Sequence, residues 1–377
     1  MIMKMAKYLV LLCSFIIYCQ LLASQSAAEP ETLKPGSEAP GFSLPGVDGK
    51  TYNLDSFAKA RVLVIIFSCN HCPTAQAYED RIIDLANDYR SSGVEVVMIS
   101  PNSVKALSYA EMGYSDMGDS FEEMKKRAAD KKFPFPYLYD GDMQEAALAY
   151  GPVATPHCFV FDSKRILRYV GRIDASEKPG TGSGEDIRKA VDEVLDGRQV
   201  TTPVTKVFGC SVKWSWKDEY TVKLNKEWAG EPVTLEAVDA GFISELVANR
   251  SDKVRMITVW ASWCGPCLME MPDMVITDRM YRHRPFELIT ISADKPEKIS
   301  EVLRILTENQ ASNKNYIFNK DAVFELIEAV DKEWRGALPY TMIIEPGGKV
   351  IYRKQDTINP LEIRRLIVES SYLGRYY

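Results

Sequence analysis

The residues best suited to chemistry are four cysteines in two Cys-x-x-Cys pairs, Cys69/Cys72 and Cys264/Cys267. Two thiols at this spacing can close a disulfide, exchange it with another dithiol, or ligate a soft metal. The other four of the eight cysteines stand singly, at Cys13, Cys19, Cys158 and Cys210. For a metal, His71 and His157 could complete a Cys2His2 set around the first pair, although His71 adjoins Cys72 and points in a divergent direction. For exchange, a thiolate is needed, and both pairs lie between an apolar run and a helical segment. A helix start there offers unpaired N–H groups and about half a positive charge, which stabilise the anion. The second thiol can then reach back and resolve a mixed disulfide.

The elements that must position these thiols repeat. Val62-Leu-Val-Ile-Ile-Phe67 reads as a buried strand and the segment from Pro73 as a helix. A strand at Val94 to Ile99, a helix at Ser120 to Lys131, a short strand at Pro136 to Tyr139 and a helix at Gln144 to Tyr150 follow. Phe159 to Phe161 and Ile166 to Val170 form a hairpin, and Glu185 to Leu195 a closing helix. Around the second pair the order recurs: strand Met256 to Trp260, helix Pro266 to Met280, strand Leu288 to Ser292. Helices at Pro296 to Thr307 and Asp321 to Ala329 flank a strand at Tyr316 to Phe318. A hairpin of Thr341 to Ile344 with Val350 to Tyr352 leads to a last helix, Leu361 to Tyr372. In both units a proline precedes the hairpin, in Thr155-Pro156 and Leu338-Pro339. In the cis form each would present an extended edge to a substrate peptide. The expectation is α/β: two folds in tandem, each a central mixed sheet flanked by helices. The boundary is expected near Trp214 to Asp218, with Trp214, Trp216 and Tyr220 packing between the units.

Length and composition agree. The chain has 377 residues, 46% hydrophobic and 26% charged, an ordinary globular composition with room for about two domains. A net charge of −6 argues against nucleic acid as a partner. At the start, Lys4 and Lys7 precede an apolar run from Tyr8 to Ala23, and Ser26-Ala27-Ala28 follows it, the layout of a secretory signal peptide cut after Ala28. The alternative is a retained anchor, since about 16 apolar residues fall just under the roughly 17 a spanning helix needs. Cleavage would remove Cys13 and Cys19, and an exported compartment permits disulfides.

Trp260-Ala-Ser-Trp-Cys-Gly-Pro-Cys267 resembles the thioredoxin active site, and with Glu270 and Pro272 it resembles the exported TlpA/ResA-like branch. That resemblance covers about residues 230–375, including Trp334 to Thr341 around Pro339. It implies a proton-handling role for Glu270, because Thr258 stands where cytosolic thioredoxins carry a buried Asp. The first unit, with Phe67-Ser-Cys-Asn-His-Cys-Pro-Thr74, Phe133 to Tyr137 and Gly209-Cys-Ser-Val-Lys-Trp214, resembles a peroxiredoxin-like redoxin family of the AhpC/TSA group over about residues 35–215. A peroxidase would place Thr at position 69 and Pro at position 65, where this chain has Cys69 and Ile65, so dithiol chemistry is favoured over peroxidase chemistry.

The domains expected are thus a signal peptide at 1–28, a redoxin unit at 35–215 and a thioredoxin unit at 216–377. The function expected is an exported thiol:disulfide oxidoreductase of the bacterial periplasm or envelope. Cys69 and Cys264 would attack, Cys72 and Cys267 resolve, Glu270 handle the proton, and Thr155-Pro156 and Leu338-Pro339 dock the substrate. Cys158 reads as a buried core thiol, and Cys210 as either a resolving or a packing residue. Beyond the redox-active disulfides no cofactor or metal is expected. The partners would be protein thiols and disulfides, with a membrane electron donor if the protein works as a reductant. Alternatives are a thiol peroxidase and a copper or zinc chaperone. His71 before the second cysteine matches protein disulfide isomerase and makes a disulfide more oxidising. Isomerase and thioredoxin potentials of about −180 and −270 mV, taken as limits, differ by roughly 4 kcal/mol. Electrons would then run from the C-terminal pair to the N-terminal one.

Overall fold

The computed structural model describes residues 29–375. The signal-peptide expectation, with Cys13 and Cys19, lies outside the described residues.

The first half runs β1 (Ser43–Pro45), β2 (Thr51–Asn53), β3 (Val62–Phe67), α1 (Pro73–Tyr89), β4 (Val94–Ser100), α2 (Phe121–Lys131), β5 (Tyr137–Tyr139), α3 (Glu145–Tyr150), β6 (Ala154–Thr155), β7 (His157–Phe161), β8 (Leu167–Gly171), α4 (Glu185–Leu195) and β9 (Cys210–Ser211). The second runs α5 (Glu219–Ala229), β10 (Glu236–Val238), α6 (Ala240–Ala248), β11 (Val254–Trp260), α7 (Gly265–Tyr281), β12 (Phe286–Ser292), α8 (Ile299–Glu308), β13 (Lys314–Phe318), α9 (Val323–Val330), β14 (Tyr340–Ile344), β15 (Val350–Gln355) and α10 (Pro360–Glu369).

Each half is a mixed α/β unit of the thioredoxin-like kind, with one main sheet. The orders are β5-β4-β3-β7-β8 and β10-β13-β12-β11-β14-β15. In both, the central strand that leads to the cysteines has a parallel neighbour on one side and an antiparallel one on the other. Every residue of β3 and β11 is buried, as expected for strands covered by helices on both faces. The short hairpin β1/β2, helices α5 and α6 and edge strand β10 carry weak periodic signals and are additions to the expected elements.

Trp214 corrects one expectation. It is buried in the first half's core with Leu44, Phe67 and Tyr150, stacks on Trp216 at 4.8 Å, and does not pack between units, while Tyr220 is exposed. The junction lies elsewhere. Leu107 and Met112 of the first half pack with Met274, Met280, Tyr281 and Phe286 of the second. Tyr281 donates from its hydroxyl to Ser115 O at 2.6 Å. Asp116, wholly buried, takes Arg365 at 2.9 Å and Arg375 at 3.1 Å from the second half, with Arg127 at 3.8 Å. These cations hold its carboxyl below the usual range, against the effect of burial. Asp116→Ala leaves those arginines facing an apolar gap, an expected loss of about 3 kcal/mol in chemical unfolding.

Candidate active sites

The two pairs sit in different registers against their helices. In the first half, Pro73 opens α1 at its first position and Cys72 is the N-cap, its sulfur accepting the Ala75 N–H at 3.4 Å. In the second, α7 opens at Gly265 and Cys264 is the N-cap, its sulfur accepting the Cys267 N–H at 3.3 Å. Cys72 therefore corresponds to Cys264, and Cys69 lies a turn before the helix. A helix end stabilises an anion at its cap, so the register decides which sulfur is favoured. The signal was in the sequence: proline directly follows Cys72 in one motif and directly precedes Cys267 in the other.

Electrostatics in the first site point the same way. Burial, together with hydrogen bonding to Cys72 and the Asp119 charge, pushes the Cys69 thiol well above its ordinary range. Cys72 is equally buried, yet it is pulled well below that range. The thiols of Cys210 and Cys69, the His71 charge and the Ala75 N–H overcome its burial. The Cys210 N–H adds a further donor at 3.4 Å. As a thiol, Cys72 donates to Thr155 O at 3.3 Å, and as a thiolate it is the common acceptor of these groups. This reverses the expected order within the pair, since the environment that favours attack belongs to Cys72.

Asp119 organises the loop and was missed at the sequence level, where only its place before a helix cap marks it. Its carboxylate accepts the Asn70 N–H at 2.8 Å, the His71 N–H at 3.0 Å and the Asn102 side-chain amide at 2.7 Å. It also meets His71 Nδ1 at 2.6 Å, both groups buried. Burial works against the imidazolium, but the Asp119 charge and hydrogen bond prevail and raise the His71 pKa. Asp119→Asn should lower the His71 pKa and so raise that of Cys72, read in a pH titration of thiolate absorbance.

The rival Cys2His2 set is not assembled. The His157 ring lies tilted against Phe159 at 4.7 Å and its Nδ1 accepts the Val153 N–H at 3.3 Å. Burial pushes its pKa down to about 3, so the ring is neutral. Cys69, His71 and Asp119 do offer ligand atoms within 4.8 Å of one another, with His71 and Asp119 already bonded together. Cys158 is wholly buried on β7, its thiol pushed up by desolvation, as a core thiol should be.

Both prolines follow cis peptide bonds, Thr155-Pro156 and Leu338-Pro339. The Thr155 hydroxyl lies 3.1 Å from the Cys69 sulfur. The edge at Thr155 is not open, contrary to expectation: β6 pairs with β9, Thr155 opposite Cys210 and Ala154 opposite Ser211. Cys210 thus joins Cys69 and Cys72 in one cluster, 138 residues downstream of Cys72.

In the second half, Cys264 and Cys267 form a disulfide, with Cα atoms 5.3 Å apart. Leu338 packs on the cluster that contains both, and Trp263 beside them is 72% exposed. Glu270 is one turn beyond Cys267 on the same face of α7. One of its oxygens accepts the Ile358 N–H at 3.0 Å, and the other has no partner among the described residues. Burial raises its pKa to about 7, against the Ile358 hydrogen bond. A carboxyl poised there can accept and return a proton near neutrality.

Comparison with known proteins agrees with this chemistry. Thiol-disulfide oxidoreductase ResA of Bacillus cereus is 28% identical over 102 residues, 25% of this chain and 50% of that protein. Peroxiredoxin Bcp of Escherichia coli K12 is 36% identical over 76 residues, 20% of this chain and 49% of that protein. The chain thus spans about half the length of the curated relatives it matches. Among solved structures, an uncharacterized conserved protein from Geobacillus kaustophilus is 39% identical, covers 50% of this chain and 95% of its own, and has a TM-score of 0.44. The AhpC/TSA family profile matches residues 35–170 and again 230–353, most of the chain and both cysteine sites, and the protein belongs to the AhpC/TSA family.

Proposed function

We propose that this protein is a thiol:disulfide oxidoreductase with two dithiol sites, in units at 35–215 and 216–377, working in an exported compartment. The observation that carries the reading is shared by both sites. One sulfur caps a helix while a second lies three residues away, and a cis proline stands opposite. Cys264 attacks and Cys267 resolves at one site, and Cys72 attacks at the other, with Cys69 placed to resolve. Clients are protein disulfides or thiols, and no nucleotide or metal takes part.

Electrons run from the Cys264/Cys267 pair to the Cys69/Cys72 pair, given the more oxidising middle residues of the latter. Direct exchange requires the halves to reorient. Helix α7 has 17 residues, about 25 Å in length, with Cys264 at its first cap and the Ser115 contact at its last residue, Tyr281. Insulin reduction by the full chain and by each double serine variant tests the reading, with metal content measured on the same samples. Both variants should lose turnover at their own site. Normal reduction of Cys69/Cys72 by the physiological donor in the Cys264→Ser, Cys267→Ser variant would end the relay.

Thiol peroxidase chemistry is the second reading, favoured by the single stabilised thiolate at Cys72 and the likeness to Bcp. It expects sulfenic acid at Cys72 with peroxide.

A further inference from the structure

The segment after α4 lies across the first site as a strap fixed at both ends. At one end the Thr205 N–H donates to Val170 O at 3.2 Å, and at the other the Ser103 N–H donates to Lys213 O at 2.9 Å. The Lys213 N–H also reaches Asn102 Oδ1 at 2.9 Å. Between these anchors, β9 pairs antiparallel with β6, directly before the cis proline, where an extended client would pair. Cys210 is the residue opposite Thr155, and its own N–H meets the Cys72 sulfur. Contact is close enough to require glycine next to it. Gly209 has φ +141°, and a Cβ there would lie 2.1 Å from Thr155 O and 2.8 Å from Thr155 C. With the strap in place, Cys69 and Cys72 are 3% and 0% exposed.

We infer that the strap is an internal client: β9 occupies the edge that external clients use, and Cys210 is the thiol that resolves mixed disulfides on Cys72. The inference rests on the oxidoreductase reading and adds a regulated entrance to it. A client disulfide displaces the strap and is attacked by the Cys72 thiolate, giving a Cys72–client disulfide and one client thiolate. When β9 re-pairs with β6, Cys210 attacks the Cys72 sulfur. The Cys72–client bond breaks, a Cys72–Cys210 bond forms, and the second client sulfur leaves, taking the proton of Cys210. The client gains two electrons, the Cys72/Cys210 pair loses two, and an external dithiol restores the pair. Re-pairing of the strand evicts the product in the same movement. Cys69 is then a second resolving thiol, with the Thr155 hydroxyl 3.1 Å from its sulfur.

Two readouts on the full chain test this. The first is alkylation of Cys72 by iodoacetamide, which needs no turnover. Gly209→Ala cannot seat the strap and should speed Cys72 alkylation about tenfold, the worth of one or two backbone hydrogen bonds lost at the edge. Cys210→Ser keeps the strand and should not reproduce that increase. Cys158, buried in the core, must remain unlabelled in each variant, which shows that the fold is intact. The second readout is disulfide mapping after oxidation by glutathione disulfide in a Cys69→Ser background. A Cys72–Cys210 link is expected there, and should be lost when Gly209→Ala is added. Unchanged Cys72 alkylation in a folded Gly209→Ala variant would overturn the gate. A Cys72–glutathione adduct that persists without the Cys210 link would overturn the resolving role. Failure of the oxidoreductase reading itself looks different: no adduct or link forms at Cys72, while the alkylation rates still differ.

Discussion

Cys72→Ser should abolish disulfide exchange at the first site, whereas Cys69→Ser should keep the first step and leave resolution to Cys210. The difference arises from the thiolate population. At a given pH a thiol held above its ordinary pKa is less ionised and one held below it more ionised, and only the thiolate attacks. Alkylation of the two sulfurs should therefore favour Cys72. Competitive labelling at limiting iodoacetamide, read by peptide mass spectrometry, compares them in one sample under the same strap. Preferential labelling of Cys69 would restore the order expected from the motif alone. The cause is the helix cap, since α1 begins one residue after Cys72 and the Ala75 N–H in its first turn donates to that sulfur. His71 and Asp119 add to this, because an imidazolium buried beside a sulfur has little solvent to screen it.

Glu270→Gln should change the second half's stability in a pH-dependent way and flatten the pH profile of its exchange reaction. The folded carboxyl titrates at about 7, against 4.5 for the unperturbed group. Because the fold retains the proton, stability is fully present below about pH 4.5 and falls as pH rises towards 7. Glutamine does not ionise and escapes that fall. The variant should thus gain up to about 3 kcal/mol on the parent between pH 4 and pH 8.5, read by chemical unfolding at both values. In exchange, the parent rate for reducing Cys264–Cys267 should show an inflection near pH 7 that is missing in the variant. A stability difference from the parent that is the same at both pH values would show that folding does not raise the Glu270 pKa.

Much of the scaffold was legible because its signals are local. The all-apolar runs of β3 and β11 read as covered strands, and the Pro-led helices α1 and α7 read from their starts. The closing helix α4 was placed at its observed bounds, because an apolar stripe at helical spacing needs only neighbours in the chain. Elements whose existence depends on a partner were not legible. Two-residue strands β6 and β9 have no periodicity to detect and exist only because each finds the other 55 residues apart. Likewise Trp214, at the start of an aromatic run, carries no mark of which core will bury it.

By itself the sequence determined the chemical inventory: two Cys-x-x-Cys pairs between strand and helix, a proline before each hairpin, and a glutamate one turn beyond the second pair. These are short-range facts, encoded by residues within a few positions of each other. Only the tertiary structure decided which sulfur of the first pair is the thiolate, that Asp119 holds the imidazole beside it, and that Cys210 closes the edge at Thr155. The physical reason is that a thiol's pKa and its access depend on what lies within a few ångströms in space. Here those groups come from positions 48 and 138 residues away in the chain.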